Sequence, residues 1–153
     1  MKPNPGYELV SAVMATADAF LRESQRLFRP HGLTAAQYNL LNVVAESTEG
    51  LSQRALGDRL VVDRSNITGL IDRMETAGWV RRKDHPVDRR SYLVELTPAG
   101  RKLWREITPR YLAVVSQVTG GFSGKRMREM VRNLQQLEIA AGAWKLPGDT
   151  EKA

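Results

Sequence analysis

The stretch Leu51–Gly100, LSQRALGDRL VVDRSNITGL IDRMETAGWV RRKDHPVDRR SYLVELTPAG, carries two short helical patterns and then two strand-like runs joined by a charged loop. That order is helix, turn, helix, hairpin. Such a unit places its second helix in a DNA major groove. Asp63 is suited to cap that helix, because a carboxylate accepts from the unpaired N–H groups of a first turn. Ile67, Leu70, Ile71 and Met74 fall at i, i+3, i+4 and i+7 and make one apolar face. The opposite side holds Ser65, Gly69, Asp72, Arg73 and Thr76, with Asn66 and Thr68 on its flanks. Small hydrogen-bonding side chains near a helix N-terminus suit base edges. Gly69 in mid-helix costs roughly 1 kcal/mol relative to alanine, so close approach to DNA or close packing on a neighbouring helix has to compensate. Gly78 is placed to end the helix.

The runs Trp79–Lys83 and Ser91–Leu96 have strand composition, with Tyr92, Val94 and Leu96 alternating on one face. The loop between them, DHPVDRR, is too long and too charged for a tight turn, and Pro86 stiffens it. Asp88 lies two residues before Arg90, near enough to orient its guanidinium. An arginine held in this way suits a narrow minor groove. Arg54, Arg64 and Arg73 are candidate phosphate contacts, beside the plainer reading of each as a solvated surface arginine. Arg82 and Lys83 read as solvated strand residues with occasional phosphate contact. Asp72 reads as the partner of Arg73 or of another arginine.

The run DHPVDRRSYLVELTPAG resembles the wing signature of the MarR family of winged-helix transcription regulators, commonly D-P-x-D-R-R, then alternating residues, then L-T-x-x-G. Asp88, Arg89, Arg90, Leu96, Thr97 and Gly100 match it. The first Asp of the pattern is His85 here, with Asp84 one place earlier. Upstream, LTAAQYNLL at Leu33–Leu41 resembles the family's second-helix opening. The similarity extends from about Tyr7 to Trp144. It implies a mostly α chain with a small β-hairpin (α+β), a winged helix–turn–helix flanked by N- and C-terminal dimerisation helices. It places the wing arginine, Arg90, at the minor groove. It also implies a pocket between the dimer helices and the winged module that takes a small aromatic or anionic effector. His31, Tyr38 and Trp104 are candidates to line that pocket, although aromatic residues at helical spacing are more often core.

The whole chain has 153 residues, 42% hydrophobic and 26% charged, which makes it globular and of single-domain size. Its net charge of +6 favours a polyanionic partner without naming DNA. The charge is unevenly spread. Residues 52–90 carry nine Lys/Arg against six Asp/Glu, whereas residues 97–132 carry eight against two. The more basic segment reads as solvated helix faces. There is no cysteine, which excludes disulfides and thiolate chemistry. No apolar run approaches membrane-spanning length, and no signal-peptide core is present at the N-terminus, so a cytoplasmic location is expected.

Outside the central stretch, Met1–Gly6 reads as a loose arm. A long helix from Tyr7 to about Arg29 carries Leu9, Val10, Val13, Met14, Ala17, Phe20, Leu21, Leu27 and Phe28 as a stripe. Thr34 is expected to cap a helix to about Ser47, Leu51 to add a short third strand, and Ser52 to cap the next helix. Thr97 and Pro98 start a further helix that Pro109 should kink or break. Ser123 caps the last. There Met127, Met130, Leu134, Leu137, Ala141 and Trp144 fall at alternating spacings of three and four. Such a stripe is the seam of a helix–helix interface. With Leu9 and Val13 it forms the expected dimer interface, against the alternative of packing on the first helix of its own chain. The expected organisation is an N-terminal dimerisation helix (1–33), a winged helix–turn–helix domain (34–100), C-terminal dimerisation helices (101–147) and a tail (148–153).

An enzyme would need a nucleophile, base and orienter within reach of one another. The two histidines, His31 and His85, sit in separate loops, and no phosphate-binding or metal-ligand motif occurs. No cofactor is expected. Two rival readings remain, a protein–protein adaptor and a non-specific architectural DNA binder. An adaptor surface would carry exposed apolar anchors where this helix has small polar residues. Architectural binding needs phosphate contacts alone. The reading favoured by residues and resemblance together is a homodimeric regulator, a repressor by resemblance, on an inverted-repeat operator in double-stranded DNA.

Overall fold

A computed structural model describes residues 4–60, 66–88 and 90–143. In chain order it forms α1 (Pro5–Phe28), a 3-10 turn (Arg29–His31), α2 (Ala35–Ala45), β1 (Leu51–Ser52), α3 (Gln53–Arg59), α4 (Ile67–Thr76), β2 (Val80–Asp84), β3 (Tyr92–Leu96), α5 (Pro98–Thr119) and α6 (Gly124–Gly142). This is the mostly helical α+β class that the sequence indicates. The chain divides into two units, one ending at Tyr111 and the other beginning at Leu112. No helix of the described residues is long and apolar enough to cross a membrane.

Helix starts follow local chemistry. Thr34 and Gln37 form a reciprocal capping box on α2. Ser52 accepts from the Ala55 N–H at 3.2 Å, Thr97 from Gly100 at 3.0 Å and Ser123 from Arg126 at 3.3 Å. Two expectations need correction. Asn4–Gly6 are not part of a loose arm, because the Asn4 side chain accepts from the Gly6 and Tyr7 N–H groups and α1 starts at Pro5. Proline at a first helical position loses no intrahelical bond. Pro109 does not break α5, which continues to Thr119. The carbonyl it leaves without a donor is that of Arg105, an exposed residue that water reaches. Asp63, the expected cap of α4, lies outside the described residues. Asn66 occupies the cap position and makes no side-chain capping bond.

The strands form one antiparallel sheet in the order β1-β3-β2. Leu51 pairs with Val94, and Val80 with Leu96. One side of this sheet meets the helices, and Val80, Val94 and Leu96 are buried there. All four apolar residues of α4, Ile67, Leu70, Ile71 and Met74, join the same core as Leu40, Leu41, Leu56 and Ile107. At the other end of this core Phe28 stacks on Tyr38 with ring centroids 4.4 Å apart, and Tyr111 lies 5.0 Å from Tyr38. The stripe read on α1 behaves differently, since Phe28 is its one buried member. Leu9, Val10, Met14, Phe20 and Leu21 are exposed.

The chain after β3 is fixed against the start of β2. The Thr97 hydroxyl donates to the Gly78 carbonyl at 2.6 Å, and the Thr97 N–H to the Trp79 carbonyl at 3.1 Å. Gly78 takes the left-handed φ of +73° that lets the chain turn out of α4. A Cβ on Gly100 would stand 1.9 Å from the Trp79 carbonyl oxygen, which is backbone and cannot swing away. Gly100→Ala should therefore destabilise the fold by at least about 1–3 kcal/mol, the usual cost of overpacking. A denaturant midpoint unchanged from the parent would refute this account of the glycine.

Candidate nucleic-acid interface

With one side of α4 buried, the other is set by geometry. Asn66, Thr68, Asp72, Arg73 and Thr76 are exposed and Gly69 is half-exposed. Asn66 is at the helix start, and its amide makes no capping bond. Among the described residues, a Cβ on Gly69 would meet only the Arg73 guanidinium, at 3.4 Å. Packing among the described residues therefore gives no reason for glycine there. Arg54 on α3 is also exposed. Arg64, Ser65 and Arg89 lie outside the described residues.

The alignment of α4 with the hairpin rests on Arg82. Its guanidinium donates to Asp72 and Glu75, and its backbone N–H donates to the same Glu75 carboxylate at 2.9 Å. The guanidinium also sits over the Tyr92 ring, 4.8 Å from the centroid. Asp72 above all, then Tyr92 and Glu75, hold this arginine well above its ordinary range. Arg82 is only 25% exposed and is not the solvated strand residue the sequence suggests. Asp72 and Glu75 are on α4 and Tyr92 is on β3, so the contact needs the strand register and the helix packing to appear. Lys83 next to it is exposed, as expected. Asp72 orients an arginine, but one on β2 instead of one along its own helix.

A second link runs through α3. The Tyr92 hydroxyl donates to Gln53 Oε1, and Gln53 Nε2 donates to Thr68 Oγ1 at 2.6 Å. Tyr92 thus touches Arg82 with its ring and Gln53 with its hydroxyl. Gln53 carries no periodic or motif signal, and sequence reasoning passed over it. On the outer face of the hairpin, Arg81 pairs across the strands with Glu95 at 2.6 Å.

The wing tip is built from local bonds. Asp88 Oδ1 accepts from the Arg90 backbone N–H at 3.0 Å, and no ion pair with the Arg90 guanidinium appears among the described residues. This corrects the expected Asp88–guanidinium contact. A carboxylate two residues back fits the backbone N–H of a turn, and that short reach wins. That N–H first, then the Ser91 side chain and the His85 imidazole, hold the Asp88 carboxyl below the usual carboxylate range. Arg90 is exposed, and with Arg54 and Asp88 it lines an open cleft between α3 and the wing.

The family model described as "MarR family" matches residues 31–91. The HTH-type transcriptional regulator TtmR of Methylorubrum extorquens is 35% identical over 147 residues, covering 92% of this chain and 72% of that protein. The chain belongs to the MarR family. It is therefore a DNA-binding winged-helix transcription regulator and not an enzyme. The homoprotocatechuate degradative operon repressor of Escherichia coli is 26% identical over 146 residues, 94% of this chain and 97% of that one. Among solved structures, CouR from Rhodococcus jostii RHA1, bound to p-coumaroyl-CoA, superposes with a TM-score of 0.75 at 28% identity, covering 82% of this chain and 88% of that one.

In this MarR-family chain the three candidate pocket residues are occupied with neighbours. The Tyr38 hydroxyl donates to Thr108 at 3.1 Å, Trp104 Nε1 donates to Asn42 at 3.1 Å, and His31 Nδ1 is 3.7 Å from Glu106. Of the residues read as a dimer interface, Leu9, Met130, Leu134 and Ala141 are exposed and Val13, Met127 and Leu137 half-buried, while Trp144 lies outside the described residues.

Gly69 separates the demands of folding from those of recognition. Gly69→Ala should raise stability by about 0.5–1 kcal/mol, because alanine is the better helix former and the site is open. It should also weaken DNA binding by roughly ten-fold, the equivalent of about 1.4 kcal/mol of lost close contact. Paired unfolding and binding titrations check both signs. Tighter binding by the variant would remove DNA approach as the reason for this glycine.

Proposed function

We propose that this MarR-family regulator is a homodimeric repressor that binds an inverted repeat, one recognition helix per half-site, and is released by a small aromatic or anionic effector. The observation that carries the DNA-reading part is the two-sided α4, buried on its apolar side and lined with small polar groups on the other. Asn66, Thr68 and Gly69, with Ser65 just upstream, meet base edges. Arg54, Arg64 and Arg73 meet phosphates, and Arg89 and Arg90 carry the wing to the minor groove. The small polar character of this side argues against an adaptor, which would need aromatic or aliphatic anchors. It also argues against purely architectural binding, for which base-reading groups would be superfluous. Repression is supported by the E. coli relative, and an effector by the ligand in CouR.

The dimer reading is supported by apolar side chains that each unit leaves uncovered. These are Leu9, Val10, Met14, Phe20 and Leu21 on α1, and Met130, Val131 and Leu134 on α6. No residue of α6 is buried. Apolar surface on this scale marks an interface. A second copy of the chain would cover it and set two recognition helices about one DNA turn, ~34 Å, apart.

Two measurements test these parts separately. Asn66→Ala should cost about 1–3 kcal/mol on a site selected from random DNA and relax base preference at one position of each half-site. Arg90→Ala should instead weaken binding on most sequences and flatten its salt dependence. A selection that enriches no inverted repeat would defeat the operator reading. For the interface, Leu134→Asp with Leu137→Asp buries charge in the seam and should yield monomers in sedimentation. An intact dimer would remove α6 from that role.

A further inference from the structure

His85 opens the wing loop and stands where the signature has an aspartate. Its Nδ1 accepts from two backbone N–H groups, Val87 at 3.3 Å and Asp88 at 3.0 Å. The imidazole thus does what a side-chain oxygen does in an Asx turn. Later bonds of the tip build on that turn. Asp88 holds the Arg90 N–H, the Ser91 N–H donates to the Asp88 carbonyl at 3.1 Å, and the His85 N–H donates back to the Ser91 carbonyl at 3.3 Å. Two converging N–H donors require a lone pair on Nδ1, so the ring proton is on Nε2. A doubly protonated imidazole has no lone pair to offer them.

We propose that His85 is a positioning residue for the wing: its unprotonated Nδ1 holds the Val87–Asp88 turn, and through it Arg90, so that uptake of a proton by this imidazole releases the wing's grip on DNA. This rests on the reading above that the wing touches DNA. Among the described residues, the charged and titratable groups around the ring are Asp84 before it in the chain, Asp88 and Arg90 of the tip, Arg54 of α3 and Tyr92 of β3. Imidazoles ordinarily change charge between about pH 8 and 5. At the upper end Nδ1 accepts both bonds. As pH falls it becomes a donor facing two donors, and the turn loses its cap. Asp88, held low by the Arg90 N–H, stays ionised across that window. Charge alone predicts the reverse, because a protonated His85 adds a cation beside the phosphates and would tighten binding. The sign of the pH effect therefore separates the two.

The test is the affinity for a selected duplex at constant ionic strength, from about pH 8 to about pH 5.5, for the parent, His85→Asn and Arg90→Ala. Asparagine keeps an acceptor at the same reach and does not titrate. The parent should weaken by roughly three- to ten-fold on acidification, the effect of one or two net hydrogen bonds. His85→Asn should match the parent at the upper pH and hold that affinity at the lower. This rescue also removes His31 as the source, since both proteins contain it. Arg90→Ala should bind weakly throughout, with a flat profile. Parallel profiles for parent and His85→Asn, or tighter parent binding at low pH, would overturn the proposal. An Arg90→Ala variant as tight as the parent would instead show that the wing does not touch DNA, and the affinity effect proposed for His85 falls with it. Amide chemical shifts of Val87 and Asp88 in the free protein decide the turn itself. They should move together with the His85 ring resonances, and amides indifferent to that titration would overturn the hold on the turn.

Discussion

Ile67, Leu70, Ile71 and Met74 have to leave water together, and a ten-residue helix can do this in only one orientation if Thr68, Asp72 and Arg73 are to stay wet. A helix so short has little stability by itself. Its position comes from α2, α3 and β2, the elements packed against it. Each buried aliphatic side chain contributes about 1.5–3 kcal/mol, whereas an exposed ion pair contributes about 0–1 kcal/mol. Apolar burial therefore decides where α4 lies and which side it offers. Arg82 then adjusts a smaller quantity, the placement of the hairpin against that helix. Two of its three contacts, Asp72 and Glu75, are on α4 and the third, Tyr92, is on β3, so turning α4 on its axis would break the first two together.

What was legible in the sequence and what was not divide along this line. Periodicity within one element picked out the buried side of α4, and single side chains named the caps at Thr34, Ser52, Thr97 and Ser123. The short strand at Leu51 was also readable. The brace at Arg82 was not, because Asp72, Glu75 and Tyr92 come together only once the β2–β3 register and the α4–β2 packing exist. Gln53 was hidden for the same reason. The α1 stripe was visible as a pattern, but a pattern does not say whether the covering surface belongs to the same chain. Spacing points Asp88 to the right neighbour, Arg90, and to the wrong atom of it. Sequence distance alone does not tell a guanidinium from the backbone N–H that lies closer.

The two ends of the wing are held by different means. At its base, backbone from Trp79 meets Gly100 too closely for any side chain, and Arg82 is fixed from two elements. Those bonds cannot loosen without disturbing the core. At its tip, the hydrogen bonds of the described residues run between His85 and Ser91, all within one loop, and Val87 is 86% exposed. Among the described residues, opening that loop breaks only its own few bonds, and Val87, its one aliphatic side chain, is already exposed. A folded domain opens locally at such segments at free energies well below that of global unfolding. The wing arginine is thus presented by a loop held by a few local bonds, whose opening takes little free energy, on a base tied to the core. A histidine in place of the signature's aspartate puts that inexpensive motion under the control of a proton, while the side of α4 that faces outward stays where the core holds it.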